Sequence, residues 1–340
     1  MNNMFIKSIT FVKRILFMAR ILTGVQSTGT PHLGNVLGAI KPAVKMANSA
    51  DNESFLFIAD LHSLTQIKDP NELKKNTYNT AAAWLACGLD SEKTVFYRQS
   101  DVAIATELAW ILSCHFPYQR LTLAHSFKDK SDRLQDVNAG IFSYPMLMAS
   151  DILLYDAEYV PVGKDQQQHL EMTRDVASRF NNLYGETFVL PSPKIDEQTK
   201  YVIGTNGQKM SKSKDNTINI FLPEKELKKQ IMSIDTDSTP LESPKDYKNC
   251  NVFKIFSLIA DQDSINSMKQ NYVKGGFGYG HAKNELLKYI LNHFLEERKK
   301  FQYFCQNTKE IDSILKRGAQ KASIVANNVL SRVRQKIGYS

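Results

Sequence analysis

No apolar run in this 340-residue chain approaches the ~18–20 residues that a membrane-spanning helix needs, so no membrane span is expected. Cysteine is sparse: Cys87, Cys114, Cys250 and Cys305 lie far apart and form no Cys-x-x-Cys pair. That spacing speaks against a disulfide framework or a zinc site and fits a reducing compartment, with the cytoplasm the expected location. A secretory signal is also lacking, because Lys13 and Arg14 interrupt the apolar stretch near the start. What remains is an ordinary soluble composition, 42% hydrophobic and 23% charged, long enough for one large or two modest domains.

Acids are missing from residues 1–20, which carry Lys7, Lys13, Arg14 and Arg20. Residues 1–17 read either as an organelle transit peptide or as an upstream extension; the extension is preferred, because Met18 directly precedes a plausible first strand, Ala19–Val25. From Leu222 onward 20 Lys and Arg stand against 13 Asp and Glu, so most of the net +8 sits in the last third. A basic surface of this kind suits a polyanion such as RNA, or is simply solvated.

Strand and helix patterns alternate through the first two thirds. Ser54–Asp60 and Thr94–Tyr97 read as strands, and Ile104–His115 and the stretch around Leu121–Phe127 as helices. Asp69 caps a helix that Pro70 opens and Gly88 stops. The alternation predicts an α/β protein with a Rossmann-like, doubly wound parallel sheet over 18–221. After Leu222 only helices are expected, over Pro223–Ile231, Val252–Ala260, His281–Phe304 and Asp312–Ile337, with Gly275–Gly280 as a break. The third unit is thus an all-helical domain, 222–340.

Three stretches carry chemistry. Gln26-Ser27-Thr28-Gly29-Thr30-Pro31-His32-Leu33-Gly34-Asn35 joins the first strand to a helix beginning near Val36. Free N–H groups at a helix start suit phosphate, and His32 and Asn35 can add donors. Lys209-Met210-Ser211-Lys212-Ser213 follows a pliable Gly204-Thr205-Asn206-Gly207 and offers two ammonium groups among hydroxyls, equipment for a polyphosphate whose charge shifts. Tyr144, Met148 and Asp151 stand at i, i+4 and i+7 of a helix that Pro145 would open. A carboxylate on that face needs a partner, which a ligand N–H surrounded by apolar surface could supply. Glu158–Val162 reads as a short strand, after which Gly163 leads into a helix with Asp165 and Gln168 spaced as a capping box and Gln166, His169 and Thr173 on one face.

Taken together, His32-Leu33-Gly34-Asn35, Tyr144-Pro145-x-Leu147-Met148-x-x-Asp151, Val160–Asp175 and Lys209–Ser213 resemble the bacterial-type tryptophanyl-tRNA synthetases, of class I, from about Arg20 to the C-terminus. Many members have Thr-Ile-Gly-Asn at 32–35 and Met-Ser-Leu before the lysine loop, where this chain has Tyr201-Val202-Ile203-Gly204. The resemblance implies activation of L-tryptophan by ATP to an adenylate and transfer to tRNA(Trp). It implies that Lys209 and Lys212, with Mg²⁺ bound through the ATP phosphates and help from Lys130, stabilise the departing pyrophosphate. ATP would meet Gln26, Ser27, Thr28, His32, Gly34, Asn35, Gly163, Lys164, Asp165, Val202 and Lys209, Met210, Ser211, Lys212 and Ser213. Tryptophan would meet Asp151, Tyr144, Met148 and Gln166. A homodimer, an anticodon-binding role for 222–340 and the absence of an editing domain are further implications. A tyrosyl enzyme and a non-catalytic tRNA-binding paralogue are the alternatives.

Overall fold

The computed structural model describes residues 18–124, 137–163, 166–194 and 201–339. Its centre is a five-stranded parallel sheet in the order β3-β2-β1-β4-β5, with β1 Ala19–Val25, β2 Asn52–Ile58, β3 Val95–Arg98, β4 Tyr159–Pro161 and β5 Ser192–Lys194. Strands β1 and β2 pair along their whole length, from Ala19 opposite Asn52 to Val25 opposite Ile58. By contrast β1 meets β4 only at Ile21 opposite Tyr159. The strand order reverses there, so β1 and β4 part beyond that pair and leave a crevice at their carboxyl ends, where ligands of such sheets bind.

Helices fill the connections. Leu33–Asn35 (α1) passes through a π-helical turn, Val36–Ile40, into Lys41–Ala47 (α2). Asp60–Ser63 (α3) and Pro70–Ala86 (α4) follow β2, with the Asp69 side chain accepting from Glu72 N–H as the sequence predicts. Ile104–His115 (α5) has the expected limits. The next helix, Tyr118–Thr122 (α6), lies earlier than Leu121–Phe127, and residues 125–136 lie outside the described ones. Ala139–Leu153 (α7) corrects the expectation for Pro145. Asn138 caps this helix, and Pro145 sits inside it, without the N–H that a helix interior normally uses. The helix persists because Ile141, Tyr144, Met146, Ala149 and Ile152 are all buried. Gln167–Tyr184 (α8) completes this layer.

Beyond 222 every described element is helical: Glu224–Met232 (α9), Asn251–Ser257 (α10), Gln262–Lys274 (α11), Tyr279–His293 (α12), Leu295–Gln306 (α13) and Thr308–Lys336 (α14). Two differ from expectation. The stretch His281–Phe304 is two helices broken at buried Phe294. Helix α11 is new; few apolar residues mark it, but Asp261 caps it by accepting Ser264 N–H at 2.8 Å. Helix α14 runs past β3, the outer strand. Its Ile311 and Leu315 join the core on one side of the sheet and its Ala322, Val329 and Val333 the core on the other. At the crossing Gly318 lies so close to β3 that a Cβ there would sit 1.8 Å from the Phe96 carbonyl oxygen. The helix thereby shields a strand edge that would otherwise present unpaired backbone groups.

Candidate active site

Two of the sequence stretches meet at the crevice. His32 caps α1: its Nδ1 accepts Asn35 N–H at 3.2 Å, and Asn35 Oδ1 accepts His32 N–H at 3.1 Å. With Nδ1 an acceptor, a neutral imidazole carries its proton on Nε2 as a donor. Burial and the nearby Lys212 ammonium push the His32 pKa down to about 4, so the ring is neutral near pH 7. The first strand exits through Ser27, fully buried, whose N–H and hydroxyl both meet the Ser63 hydroxyl.

The lysine loop is a tight turn. Ile203 bridges Lys209, Gly204 N–H donates to Gln208 O at 2.7 Å, and Met210 N–H donates to Val202 O at 2.9 Å. Buried Asn216 holds it, giving Nδ2 to Asn206 Oδ1 (2.7 Å) and Lys209 O (3.2 Å) and accepting Ser211 N–H at 2.8 Å. No spacing in the sequence signals this role for Asn216, which only follows the motif. The loop reaches α1 through Gly34 N–H, 3.3 Å from Met210 Sδ, and reaches the β1 exit through Lys212 Nζ, which donates to Thr28 O at 2.9 Å. A Cβ at Gly34 would stand 3.0 Å from the His32 ring and 3.4 Å from Met210 Cβ, so a side chain there would press the ring by a few tenths of an ångström. Burial lowers the pKa of Lys212. The side chain of Lys209 is exposed.

Beside this lies a cavity of about 420 Å³, walled by Leu22, Phe57, Ile152, Val160 and Val162 and edged by Gln26, Tyr144, Met148, Gly163 and Gln166. Gly24 lets the Phe57 ring lie across β1, since a Cβ there would come within 2.6 Å of it. Gln26 Nε2 points to the Tyr144 hydroxyl at 3.5 Å, and Gln166 Oε1 meets His169 Nδ1 at 3.2 Å. Asp151, 3% exposed, is the only carboxylate on the cavity wall among the described residues. It already has protein partners: His62 Nε2 at 2.9 Å from Oδ2, and Gln99 Nε2 at 2.9 and 2.8 Å from its two oxygens. A ligand would therefore add to, not create, the satisfaction of this group. Burial raises the Asp151 pKa, while bonds from His62 and Gln99 oppose the rise. His62 and Gln99 follow β2 and β3, far from Asp151 in sequence, so no periodicity links them.

Of the anticipated site residues, Lys130, Lys164 and Asp165 lie outside the described ones. Tyr144, Met148, Asp151 and Gln166 share the cavity; Gln26, expected on the nucleotide side, lies on its edge as well. His32, Gly34, Thr28, Met210 and Lys212 are joined by the contacts above, and Ser211 and Ser213 share a hydroxyl contact at 2.9 Å. The Val202 carbonyl is engaged by Met210.

The family profile described as tRNA synthetases class I (W and Y) matches residues 18–296. The chain belongs to this family. Among its relatives, the synthetase is 47% identical to tryptophan--tRNA ligase of Campylobacter jejuni strain RM1221, over 94% of this chain and 99% of that one. It is equally 47% identical to tryptophan--tRNA ligase of Fusobacterium nucleatum, over 94% and 98%. Its fold matches the crystal structure of Campylobacter jejuni tryptophanyl-tRNA synthetase complexed with ADP and tryptophan, with a TM-score of 0.91, 47% identity and coverage of 94% and 99%. The Mycoplasma pneumoniae tryptophanyl-tRNA synthetase follows at a TM-score of 0.76 and 27% identity, with coverage of 95% and 98%.

Proposed function

We propose that this synthetase condenses L-tryptophan with ATP to tryptophanyl-adenylate and pyrophosphate, then transfers the tryptophanyl group to tRNA(Trp). The observation that carries the choice of amino acid is Asp151: a buried carboxylate on an apolar cavity wall, oriented by two donors and able to accept one more bond. An indole offers the N–H and the apolar area. A phenyl ring offers no donor there, and sites that hydrogen-bond a substrate group reject analogues lacking it by ~10⁴–10⁵; a phenol has an O–H, but carries it at the far end of a single ring rather than on the edge of a fused one, so shape and donor position turn tyrosine away. Tyr144, Gln26 and Gln166 then receive the α-amino and carboxylate groups, and Met148 packs on the ring.

The chemistry needs no general base, because the tryptophan carboxylate is already ionised at neutral pH and attacks the α-phosphorus directly. Positioning and charge stabilisation are what the protein supplies. Neutral His32 donates from Nε2 to a phosphate oxygen, with Asn35 and the α1 N–H groups beside it. Lys212 exchanges the Thr28 carbonyl for phosphate oxygens as pyrophosphate departs, and Lys209 acts from the same loop, assisted by Lys130. The nucleotide runs along Gln26–Thr28, Gly34, Gly163–Asp165 and the Val202–Ser213 turn. Among the described residues no three His, Cys, Asp or Glu side chains converge to ligate an ion. The donors suit anionic oxygens, so Mg²⁺ would enter on the triphosphate and neutralise its charge.

The basic region 222–340 forms the anticodon-binding unit, its positive charge supplying non-specific tRNA affinity, and residues 1–17 are an extension dispensable for activation in the cytoplasm. The protein works as a homodimer. Trp110, 72% exposed, lies one turn from exposed Cys114, which lines a surface groove with His115, Arg179, Asn182 and exposed Leu183; this mixed face, with Trp110 beside it, would meet a second copy.

The test is pyrophosphate exchange into ATP, one amino acid at a time. Exchange should appear with tryptophan and be weak or absent with tyrosine and phenylalanine. Exchange driven by tyrosine would instead make it a tyrosyl enzyme, and none at all in a folded, tRNA-binding protein would make it a non-catalytic paralogue.

A further inference from the structure

The two donors on Asp151 are held in different ways. Gln99 opens a short 3₁₀ turn, Gln99–Asp101, directly after β3, and is 1% exposed. Its Oε1 accepts the N–H groups of Leu61 (3.2 Å) and His62 (3.4 Å) while its Nε2 bonds both Asp151 oxygens. A flipped amide would set oxygen against oxygen, so this orientation is fixed. On one side the turn is fastened to Asp60, which accepts Ser100 N–H at 3.0 Å and the Ser100 hydroxyl at 2.5 Å.

On the other side the fastening comes from the C-terminal helix. Arg98, the last residue of β3, donates Nε to Asp101 Oδ2 and Nη1 to Asp312 Oδ1, both at 2.9 Å. Asp312 stands in the first turns of α14 and also accepts the Tyr78 hydroxyl from α4, 2.9 Å to each oxygen. The pair is partly buried, Arg98 16% and Asp312 31% exposed, so water screens it only in part. Less than two turns on, Gly318 rests against Phe96. Helix α14 thus grips β3 at two points flanking the strand's end, and the residue after Arg98 is the one that orients Asp151.

We propose that Asp312 is a positioning residue for the selection of tryptophan: through Arg98 it fixes the turn that carries Gln99, and Gln99 holds Asp151 with a lone pair directed at the indole N–H. The proposal rests on the reading of Asp151 as the indole acceptor. It ties the choice of amino acid to the seating of a helix from the region assigned to tRNA.

The experiment compares tryptophan with β-(3-benzothienyl)alanine, in which sulfur replaces the indole N–H at nearly the same shape, as substrates of pyrophosphate exchange by the full chain. Asp312→Asn keeps the side chain's shape and removes its charge. It should narrow the preference for tryptophan by about three- to tenfold, through KM for tryptophan, with KM for ATP unchanged. Gln99→Leu should narrow it further, and adding Asp312→Asn to Gln99→Leu should change nothing more, since the link is already cut. An unchanged preference in folded Asp312→Asn, equal loss for both amino acids, or simple additivity in the double variant would overturn the proposal. Should Asp312→Asn not fold, Arg98→Lys keeps the charge and loses the two-pronged contact; it should narrow the preference, and failure to do so refutes the link. Asp151→Ala, which leaves no acceptor for the indole N–H, run in parallel separates the two levels. If it leaves the preference intact, the indole-acceptor reading falls and this proposal with it; if it abolishes the preference while Asp312→Asn does not touch it, only the present proposal falls.

Discussion

Gly318 sits inside a 29-residue helix, and helix propensity alone says that alanine there should stabilise the protein by about 1 kcal/mol. The packing says the opposite. A Cβ would lie 1.8 Å from the Phe96 oxygen and 2.5 Å from its carbonyl carbon, whereas real Cβ atoms keep beyond 3.0 Å. Both clashing atoms belong to the backbone of a paired strand, so no rotamer change relieves them. The helix must back away by more than about 1 Å, and gaps of that size forfeit a quarter to a half of each affected dispersion contact. Overpacking of this kind costs about 1–3 kcal/mol or more, which outweighs the propensity gain. The expected net loss for Gly318→Ala is therefore about 1–2 kcal/mol, a fall in Tm of roughly 1–3 °C for a chain of 340 residues. Gly280 is the matched control. It is in the first turn of α12, no atom lies within 4 Å of the place a Cβ would take, and its φ is not positive, so Gly280→Ala should hold or raise Tm. Thermal unfolding of the two variants beside the parent decides the matter. A Gly318→Ala protein as stable as Gly280→Ala would refute the close approach of α14 to β3.

Lys212→Ala should lower kcat for adenylate formation by about 10²–10³ while KM for tryptophan stays near the parental value, read from exchange kinetics; equal losses in both would count against its role at the departing phosphates. Gly34→Ala presses on the His32 ring, so kcat for adenylate formation should drop, by up to roughly one to two orders of magnitude, and a neutral result would show that the position of His32 does not matter to the reaction. The His32 pKa is lowered from 6.5 to about 4 on folding. Between those values the unfolded chain takes up a proton that the folded chain refuses, so stability falls as the pH drops through that window. His32→Gln should lose less stability on acidification from pH ~7 to ~5, and parallel Tm profiles for variant and parent would contradict the buried neutral ring. If the protein is the proposed homodimer, it should sediment as one and Trp110→Glu should shift the sedimentation coefficient toward the monomer, whereas a monomeric parent or an unaltered dimer would refute that interface.

Much of this site could be read in advance because its parts are local. The i, i+4, i+7 spacing of Tyr144, Met148 and Asp151 places them on one face whatever else the chain does, and all three line the cavity. The Asp69 cap is likewise local, joining residues three apart. Pro145 misled because its usual place in a helix is the first turn, and only burial of the surrounding residues lets it stand further in. His62, Gln99 and Asn216 were not legible as site residues. The first two depend on where the ends of β2 and β3 fall relative to α7, which is a property of the sheet, and Asn216 serves as a brace whose partners are mostly backbone. Helix α11 was missed for want of an apolar stripe, since its stability comes from Met268 and Tyr272 reaching a core built by distant segments.

The covering of β3 by α14 has a consequence for biosynthesis. Phe96 leaves the ribosome more than two hundred residues ahead of Gly318, a delay of about 10–45 s at typical elongation rates of ~5–20 residues per second. Throughout that interval a nascent sheet would display a bare hydrogen-bonding rim and an unfilled face. Chains stalled before residue 308 should therefore be prone to edge-to-edge association, because the strap is made so long after the strand it covers.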